Sequence, residues 1–316
     1  MRILFYGTAS YDKESFDKEL PAYPDVSIEY TETNLTPLTA SLARGYDAVC
    51  AFVNANVGAL TLEVLAGLGV KLVLMRCAGF DAVNVNMAKD LGITVTRVPA
   101  YSPEAIAEHA MALAMCANRR IHKGYIRVRE NNFSLGGLVG ETLYGKTAGI
   151  IGLGRIGQAT AKILNAFEMK VLAYDAFESE AGRRVAEYVP LDELFARSDV
   201  IFLHCPLFPS TEGIINKDNI AKMKDGVILI NNSRGQLVVE QDLADALNSG
   251  KVYAAGLDVV STEPIGADNP LKTAKNTFIT PHISWAAQAA RQRIMDITVD
   301  NIGSYVDGAP INVVNK

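Results

Sequence analysis

The chain is poor in the residues that staple small extracellular folds: its four cysteines, Cys50, Cys77, Cys116 and Cys205, lie far apart and none forms a C-x-x-C pair. Three sit inside apolar runs, where a thiol packs as a small hydrophobe, so neither a disulfide framework nor a zinc site or other metal centre is expected. Excess positive charge is also missing. With 30 Lys and Arg against 35 Asp and Glu, the net charge of −5 has the wrong sign for a surface that tracks a phosphate backbone, so no nucleic-acid partner is expected. The one short basic run, "NRRIHKGYIRVR" at 118–129, reads as a solvated helix end. Long apolar runs are absent too. The longest, "MALAMCA" at 111–117, is far below the roughly 20 residues of a bilayer-crossing helix, so no membrane partner is expected. "MRILFY" leads straight into a strand-like run with no small-residue cleavage site after it, which makes the reducing cytoplasm the expected location. There is no low-complexity segment and no fixed-period repeat.

What is present is an α/β pattern over 316 residues, enough for two domains. In the first third, strand-like runs at 2–6, 47–53, 71–76 and 93–98 alternate with stretches of helical period at 61–68 and 84–91, as in βαβ units around a parallel sheet. A long helix opens at Pro103, with Ser102 as a capping residue and Glu104 near the positive helix end. Its residues Ile106, Ala110, Leu113, Ala114 and Ala117 share one face. Alternation then resumes, with strands at 147–151, 169–174, 199–203, 226–231, 252–257 and 277–280. Helices are expected at 155–166, 191–197 and 239–248, and a helical stretch at 283–308 can return to the first domain. The expected architecture is a dinucleotide domain, 102–282, inserted into a discontinuous domain made of 1–101 and 283–316.

The glycines Gly152, Gly154 and Gly157 stand between the strand "TAGII" and the helix "RIGQATAKILNAF", the setting that turns a weak triplet into a phosphate cradle. In that role the first makes the tight turn, the second admits the pyrophosphate and the third lets the helix close on the strand. Asp175 ends the next strand, where a carboxylate can accept from both ribose hydroxyls and would repel a 2′-phosphate. Ala176, Phe177 and Glu178 bring no positive charge, so NAD is expected over NADP.

Ligands of doubly wound sheets lie beyond the carboxyl ends of the strands. There the sequence sets "CPLFPST" (205–211), Arg234 in "NSRG", Asp258 and Glu263 in "GLDVVSTEP", and His282 behind Pro281. A guanidinium can grip a carboxylate through paired hydrogen bonds. An imidazole can protonate the oxygen that gains charge when a ketone accepts hydride, and a carboxylate beside it orients the ring. Taken singly, each has a plainer reading: Arg234 as a surface ion-pair partner, Glu263 as a loop carboxylate, His282 as a core histidine.

With "GIIGLGRIGQ", Asp175, "INNSRGQLV", "GLDVVSTEP" and "TPHISWAAQAARQR" in place, the chain resembles the D-isomer-specific 2-hydroxyacid dehydrogenases over nearly its whole length. The resemblance implies a Rossmann NAD domain inserted into a flavodoxin-like substrate domain, both doubly wound. It implies Arg234 as substrate clamp, Glu263 as histidine partner and His282 as general acid/base. Beside the glycines and Asp175, it implies Arg155, Ile156, Cys205, Pro206, Thr211, Asn232, Ser233, Arg234, Asp258 and His282 around the NAD cofactor. A homodimer joined through the cofactor domains, by way of the 103–121 helix, is implied as well.

The two ends of the chain resemble different branches. "CAFVNANV", "RCAGFDAVNVNMAKDLG" and "RVPAYSPEAIAEHA" are similar to D-lactate dehydrogenases. That match implies backbone N–H groups of Ala78 and Gly79 on the substrate carboxylate, and Phe52 and Tyr101 walling a small pocket suited to pyruvate; Phe52 also reads as a buried strand residue. The short segment between Glu263 and His282 looks more like glycerate dehydrogenases, the hydroxypyruvate reductases. Trp285, the only tryptophan, is there a candidate donor to a substrate hydroxyl or a packing residue. D-lactate formation from pyruvate is the leading expectation and hydroxypyruvate reduction the second. A non-enzymatic NAD sensor like the C-terminal binding proteins retains the same trio, but the lactate-dehydrogenase-like first segment favours the enzyme.

Overall fold

A computed structural model describes residues 1–19 and 23–316. The chain divides into two compact units, 1–102 with 287–316, and 103–286. Against the expected boundaries at 101/102 and 282/283, the first division falls one residue later, at 102/103, and the second falls at 286/287. The cause is local: Ile283 and Ser284 donate their N–H groups to the Asp258 carboxylate at 2.9 and 2.8 Å, which fastens the segment after His282 to the inserted unit.

The first unit holds five parallel strands, β1 (Arg2–Phe5), β2 (Ser27–Tyr30), β3 (Ala48–Ala51), β4 (Leu72–Met75) and β5 (Thr94–Arg97). Their order is β2-β1-β3-β4-β5, the flavodoxin-like winding. β3 and β4 are buried at every position, which a central strand covered on both faces requires. β2 was not evident from the sequence. It is an edge strand, "SIEY", with no residue fully buried, and so lacks the apolar run that announces a parallel strand. Helices α1 (Ser10–Glu19), α2 (Ala59–Gly67) and α3 (Val85–Asp90) connect the strands.

The second unit opens with α4 (Pro103–Arg119) and α5 (Ile121–Arg129). Seven parallel strands follow: β6 (Thr147–Ile151), β7 (Lys170–Tyr174), β8 (Glu187–Tyr188), β9 (Val200–Leu203), β10 (Val227–Asn231), β11 (Val252–Leu257) and β12 (Thr277–Ile279). α6 (Arg155–Ala166), α7 (Glu180–Arg183), α8 (Leu191–Arg197), α9 (Lys217–Lys222) and α10 (Glu240–Ser249) lie between them. The order β12-β11-β10-β9-β6-β7-β8 is that of a Rossmann sheet extended by one strand. β9 and β10, "VIFL" and "VILIN", are buried throughout. The face of α4 read from the sequence is buried at Ile106, Ala110, Leu113, Ala114 and Ala117, packed against α6, β10 and β11.

The last helix, α11 (Gln288–Val306), starts five residues later than the helical stretch read from 283, because the chain before it is tied to Asp258. It belongs to the first unit, where it packs on α1, β4 and β5. Among the described residues no helix is long and apolar enough to cross a membrane.

Candidate active site

Strand order sets the order of the candidates along the carboxyl rim of the seven-stranded sheet. His282 follows β12, Asp258 and Glu263 follow β11, and Asn232, Ser233 and Arg234 follow β10. Cys205, Pro206 and Thr211 follow β9, the glycine loop follows β6, and Asp175 follows β7. The acid–base candidates thus occupy three adjacent strand ends. The winding reverses between β9 and β6, the switch point at which such sheets hold dinucleotides.

Two of the three glycines are sterically required within the chain itself. Gly152 has φ +94°, and a Cβ there would stand 2.5 Å from the Cys205 nitrogen. A Cβ on Gly157 would stand 2.2 Å from the Gly152 carbonyl oxygen. On Gly154, in contrast, a Cβ would meet nothing within 4 Å: the space over the start of α6 is open where a pyrophosphate would lie. Arg155 and Ile156 form the first helical turn, whose N–H groups have no acceptor inside the helix. Asp175 accepts from Leu153 N at 2.7 Å and from Phe177 N at 2.9 Å, so the candidate ribose acceptor also ties the glycine loop to the next strand. These features fit a dinucleotide.

On the neighbouring strand end, Thr211 Oγ1 donates to the Pro206 carbonyl at 2.7 Å and accepts from Phe208 N at 2.8 Å, which shapes the loop. Burial pushes the Cys205 thiol up to about 11, so it is a neutral lining group rather than a nucleophile. His204, which sequence reading passed over, joins this loop to α6 through a 2.8 Å contact between Nε2 and Thr160 Oγ1. Burial lowers it to about 3, and it stays neutral.

Arg234 is half-buried. Its carbonyl accepts from Asn231 Nδ2 at 2.8 Å, and Gly235 beside it is obligatory, since a Cβ there would stand 2.0 Å from the Val260 carbonyl carbon. Ser233 Oγ donates to the Leu203 carbonyl at 2.7 Å. Asn232 is buried, and its amide nitrogen is shared between the Ile106 carbonyl (2.9 Å) and Ser284 Oγ (3.3 Å), which links α4 to the His282 loop.

His282 and Glu263 are in direct contact, Nδ1 to Oε2, at 2.8 Å, with side chains 19% and 24% exposed. His282 has φ +55°, a costly conformation for a residue with a Cβ. Its surroundings impose it. His282 N donates to the Asp258 carbonyl at 2.8 Å, and the Asp258 carboxylate collects Ile283 N, Ser284 N and the hydroxyls of Ser284 (2.6 Å) and Thr280 (2.5 Å). His109 Nε2 lies 3.5 Å from the same carboxylate. With its side chain fully enclosed, Asp258 has no free face for NAD and serves as the template of the His282 loop. Burial works to raise its pKa, but the hydrogen bonds from His109, Ser284, Thr280 and Ile283 outweigh it and hold the group below the ordinary carboxylate value.

A carboxylate lowered in this way stabilises the fold at pH values above its unfolded pKa and loses that contribution as pH falls through the lowered one. Asp258→Asn is therefore expected to lower stability at pH 7 by about 2 kcal/mol, the scale of hydrogen bonds to a charged group. Its Tm should also fall less steeply than that of the parent from about pH 5 to about pH 3, as scanning calorimetry would record.

Trp285 departs from the sequence reading. Its indole N–H donates to the His282 carbonyl at 2.7 Å, so that donor is engaged within the loop and not offered to a substrate hydroxyl. In the first unit, Phe52 follows β3, Ala78 and Gly79 follow β4, and Tyr101 follows β5. Phe52 lies just past the strand, half-buried, with the buried Arg76 guanidinium 5.1 Å from its ring centre. The Tyr101 carbonyl accepts from Arg293 at 3.0 Å.

Residues 111–284 match the family model described as D-isomer specific 2-hydroxyacid dehydrogenase, NAD binding domain. The chain belongs to the D-isomer specific 2-hydroxyacid dehydrogenase family, and it is an NAD-dependent oxidoreductase of D-2-hydroxy acids. Among individual relatives, it is 50% identical over 302 residues to a hydroxypyruvate reductase of Blautia hydrogenotrophica, covering 92% of each chain. It is 41% identical to a D-lactate dehydrogenase of Escherichia coli over 98% of each. The apo-structure of the Escherichia coli D-lactate dehydrogenase aligns with a TM-score of 0.91 at 41% identity, covering 99% of this chain and 100% of that one. The D-lactate dehydrogenase from Aquifex aeolicus complexed with NAD and lactic acid aligns with a TM-score of 0.87 at 33% identity, over 99% of each.

Proposed function

We propose that the enzyme reduces a small 2-oxo acid, pyruvate before others, to the D-2-hydroxy acid, with Arg234 as carboxylate clamp, His282 as general acid and Glu263 as its orienting partner. The observation that carries this reading is the 2.8 Å contact between His282 Nδ1 and Glu263 Oε2. With Nδ1 turned to the carboxylate, Nε2 is the nitrogen left to hand a proton to a ketone oxygen or, in the reverse direction, to take one from an alcohol. Bound NADH supplies the hydride. The cradle from Gly152 to Gly157 with Arg155 and Ile156 would hold the pyrophosphate, Asp175 the ribose, and the Cys205–Thr211 loop and Ser233 the flanks. Arg234 would grip the carboxylate through two parallel N–H donors, and Ala78 and Gly79 would offer backbone N–H groups to a carboxylate.

Pyruvate is preferred because Trp285, the hydroxyl donor suggested by the sequence, has its N–H engaged by His282 O. Hydroxypyruvate is the second reading, favoured by the 50% identity to a hydroxypyruvate reductase. Initial rates of NADH oxidation with pyruvate, hydroxypyruvate, glyoxylate and bulkier 2-oxo acids test both. The expected result is the highest kcat/KM for pyruvate. A higher value for hydroxypyruvate reverses the order, and no turnover with the panel rejects the assignment.

We also propose a homodimer joined through the second unit. Support comes from apolar side chains exposed on and after α5, among them Tyr125, Phe133, Leu135 and Val139, the last three 77–80% exposed. Sedimentation velocity should give twice the chain mass, and Phe133→Glu with Val139→Glu should shift it to the single chain; a monomeric parent removes the proposal.

A further inference from the structure

The turn after β4 is asymmetric in its hydrogen bonding. Four consecutive carbonyls are satisfied within the first unit. Cys77 O accepts from Val98 N at 3.1 Å, Ala78 O from Arg97 Nη1 at 2.9 Å, Gly79 O from Cys77 Sγ at 3.1 Å and Phe80 O from Val83 N at 3.0 Å. The N–H groups of Ala78 and Gly79 have no acceptor among the described residues. All the acceptors are occupied and two adjacent donors are open.

In a planar trans peptide the carbonyl of one residue and the N–H of the next point in opposite directions. Whatever holds the Cys77 carbonyl therefore aims the Ala78 N–H, and whatever holds the Ala78 carbonyl aims the Gly79 N–H. The first hold is a backbone bond to β5's continuation. The second depends on one side chain, Arg97. Without it the Ala78–Gly79 peptide is free to turn over, because glycine accepts the resulting φ of either sign at little cost. The turned peptide would present a carbonyl oxygen, which repels an anion.

Arg97 is itself well held. Its N–H donates to Asn312 O at 3.1 Å, its carbonyl accepts from Asn301 Nδ2 at 2.9 Å, and its guanidinium lies 4.9 Å from the Phe80 ring centre. We propose that Arg97 is a positioning residue for substrate binding: it locks the Ala78–Gly79 peptide in the orientation that presents the Gly79 N–H to the carboxylate of the 2-oxo acid. This rests on the reading of Ala78 and Gly79 as carboxylate donors.

The test pairs kinetics with a direct view of the peptide. Arg97→Met removes the donors and keeps an apolar stem over Phe80. It should raise the pyruvate KM by about 10-fold or more, the scale of one charge-assisted hydrogen bond, with the NADH KM and Tm unchanged. Arg97→Lys should recover most of the loss. In the ¹⁵N spectrum of the NADH-bound parent, oxamate, an amine-for-methyl analogue of pyruvate, should shift the Gly79 amide signal. That shift should vanish in Arg97→Met and return in Arg97→Lys. If Arg97→Met does not fold, Phe80→Leu, which removes the ring beneath the guanidinium, should raise the pyruvate KM in the same direction. Parent-like KM and Gly79 shift in Arg97→Met overturn the proposal while leaving the carboxylate reading intact. A Gly79 signal in the parent that ignores oxamate overturns the carboxylate reading, and the proposal with it.

Discussion

Replacing His282 by Ala is expected to lower kcat by about 10²-fold or more, the usual worth of a positioned general acid. The chain supplies a single imidazole in contact with Glu263, and that contact fixes which nitrogen is free to act. The KM for NADH should stay near its parental value, since the glycine cradle and Asp175 lie on other strand ends. Stopped-flow measurement of the hydride step separates this loss from slow product release. Glu263→Gln should cost less, because the amide can still receive the ring N–H through its oxygen. A parental rate in His282→Ala would remove the residue from the chemistry altogether.

The second large effect is expected at Arg234. Arg234→Lys keeps the charge but loses the planar fork, so two parallel hydrogen bonds to a carboxylate become one mobile contact. The KM for the 2-oxo acid should rise by about 10-fold or more, with a smaller fall in kcat as the substrate sits less squarely. An unchanged KM for the 2-oxo acid would mean that another cation holds the carboxylate.

The parts of this molecule that were legible in its sequence are those in which the chemistry of one residue dictates its place. The glycine loop was readable because a strand, three glycines, a helix and an acid must occur in that order, and the steric surroundings of Gly152 and Gly157 explain why. The central strands were readable as apolar runs because parallel strands are covered on both faces. β2 and β8 were not, because edge strands of four and two residues are only partly buried and carry charged side chains. Asp258 and Trp285 were located but given outward-facing roles. The inward hydrogen bonds of Asp258 gather the loop of His282 from far along the chain, that of Trp285 closes the same loop on itself, and no spacing rule announces such a network. Arg97 escaped notice for the same reason: its partner, the Ala78 carbonyl, is backbone, to which sequence pattern is blind.

The division of the chain has a consequence for its biosynthesis. The inserted unit is one uninterrupted stretch, 103–286, whereas the other needs both 1–102 and 287–316. During translation the later-made unit is complete before its predecessor is, since the five strands begun at Arg2 must await α11 and the pairing of Val314 N with Val95 O at 2.9 Å. Maturation therefore runs against the order of synthesis. The nucleotide-binding half can fold first on the ribosome, while the amino-terminal half stays partly uncovered and in need of protection until the last residues emerge.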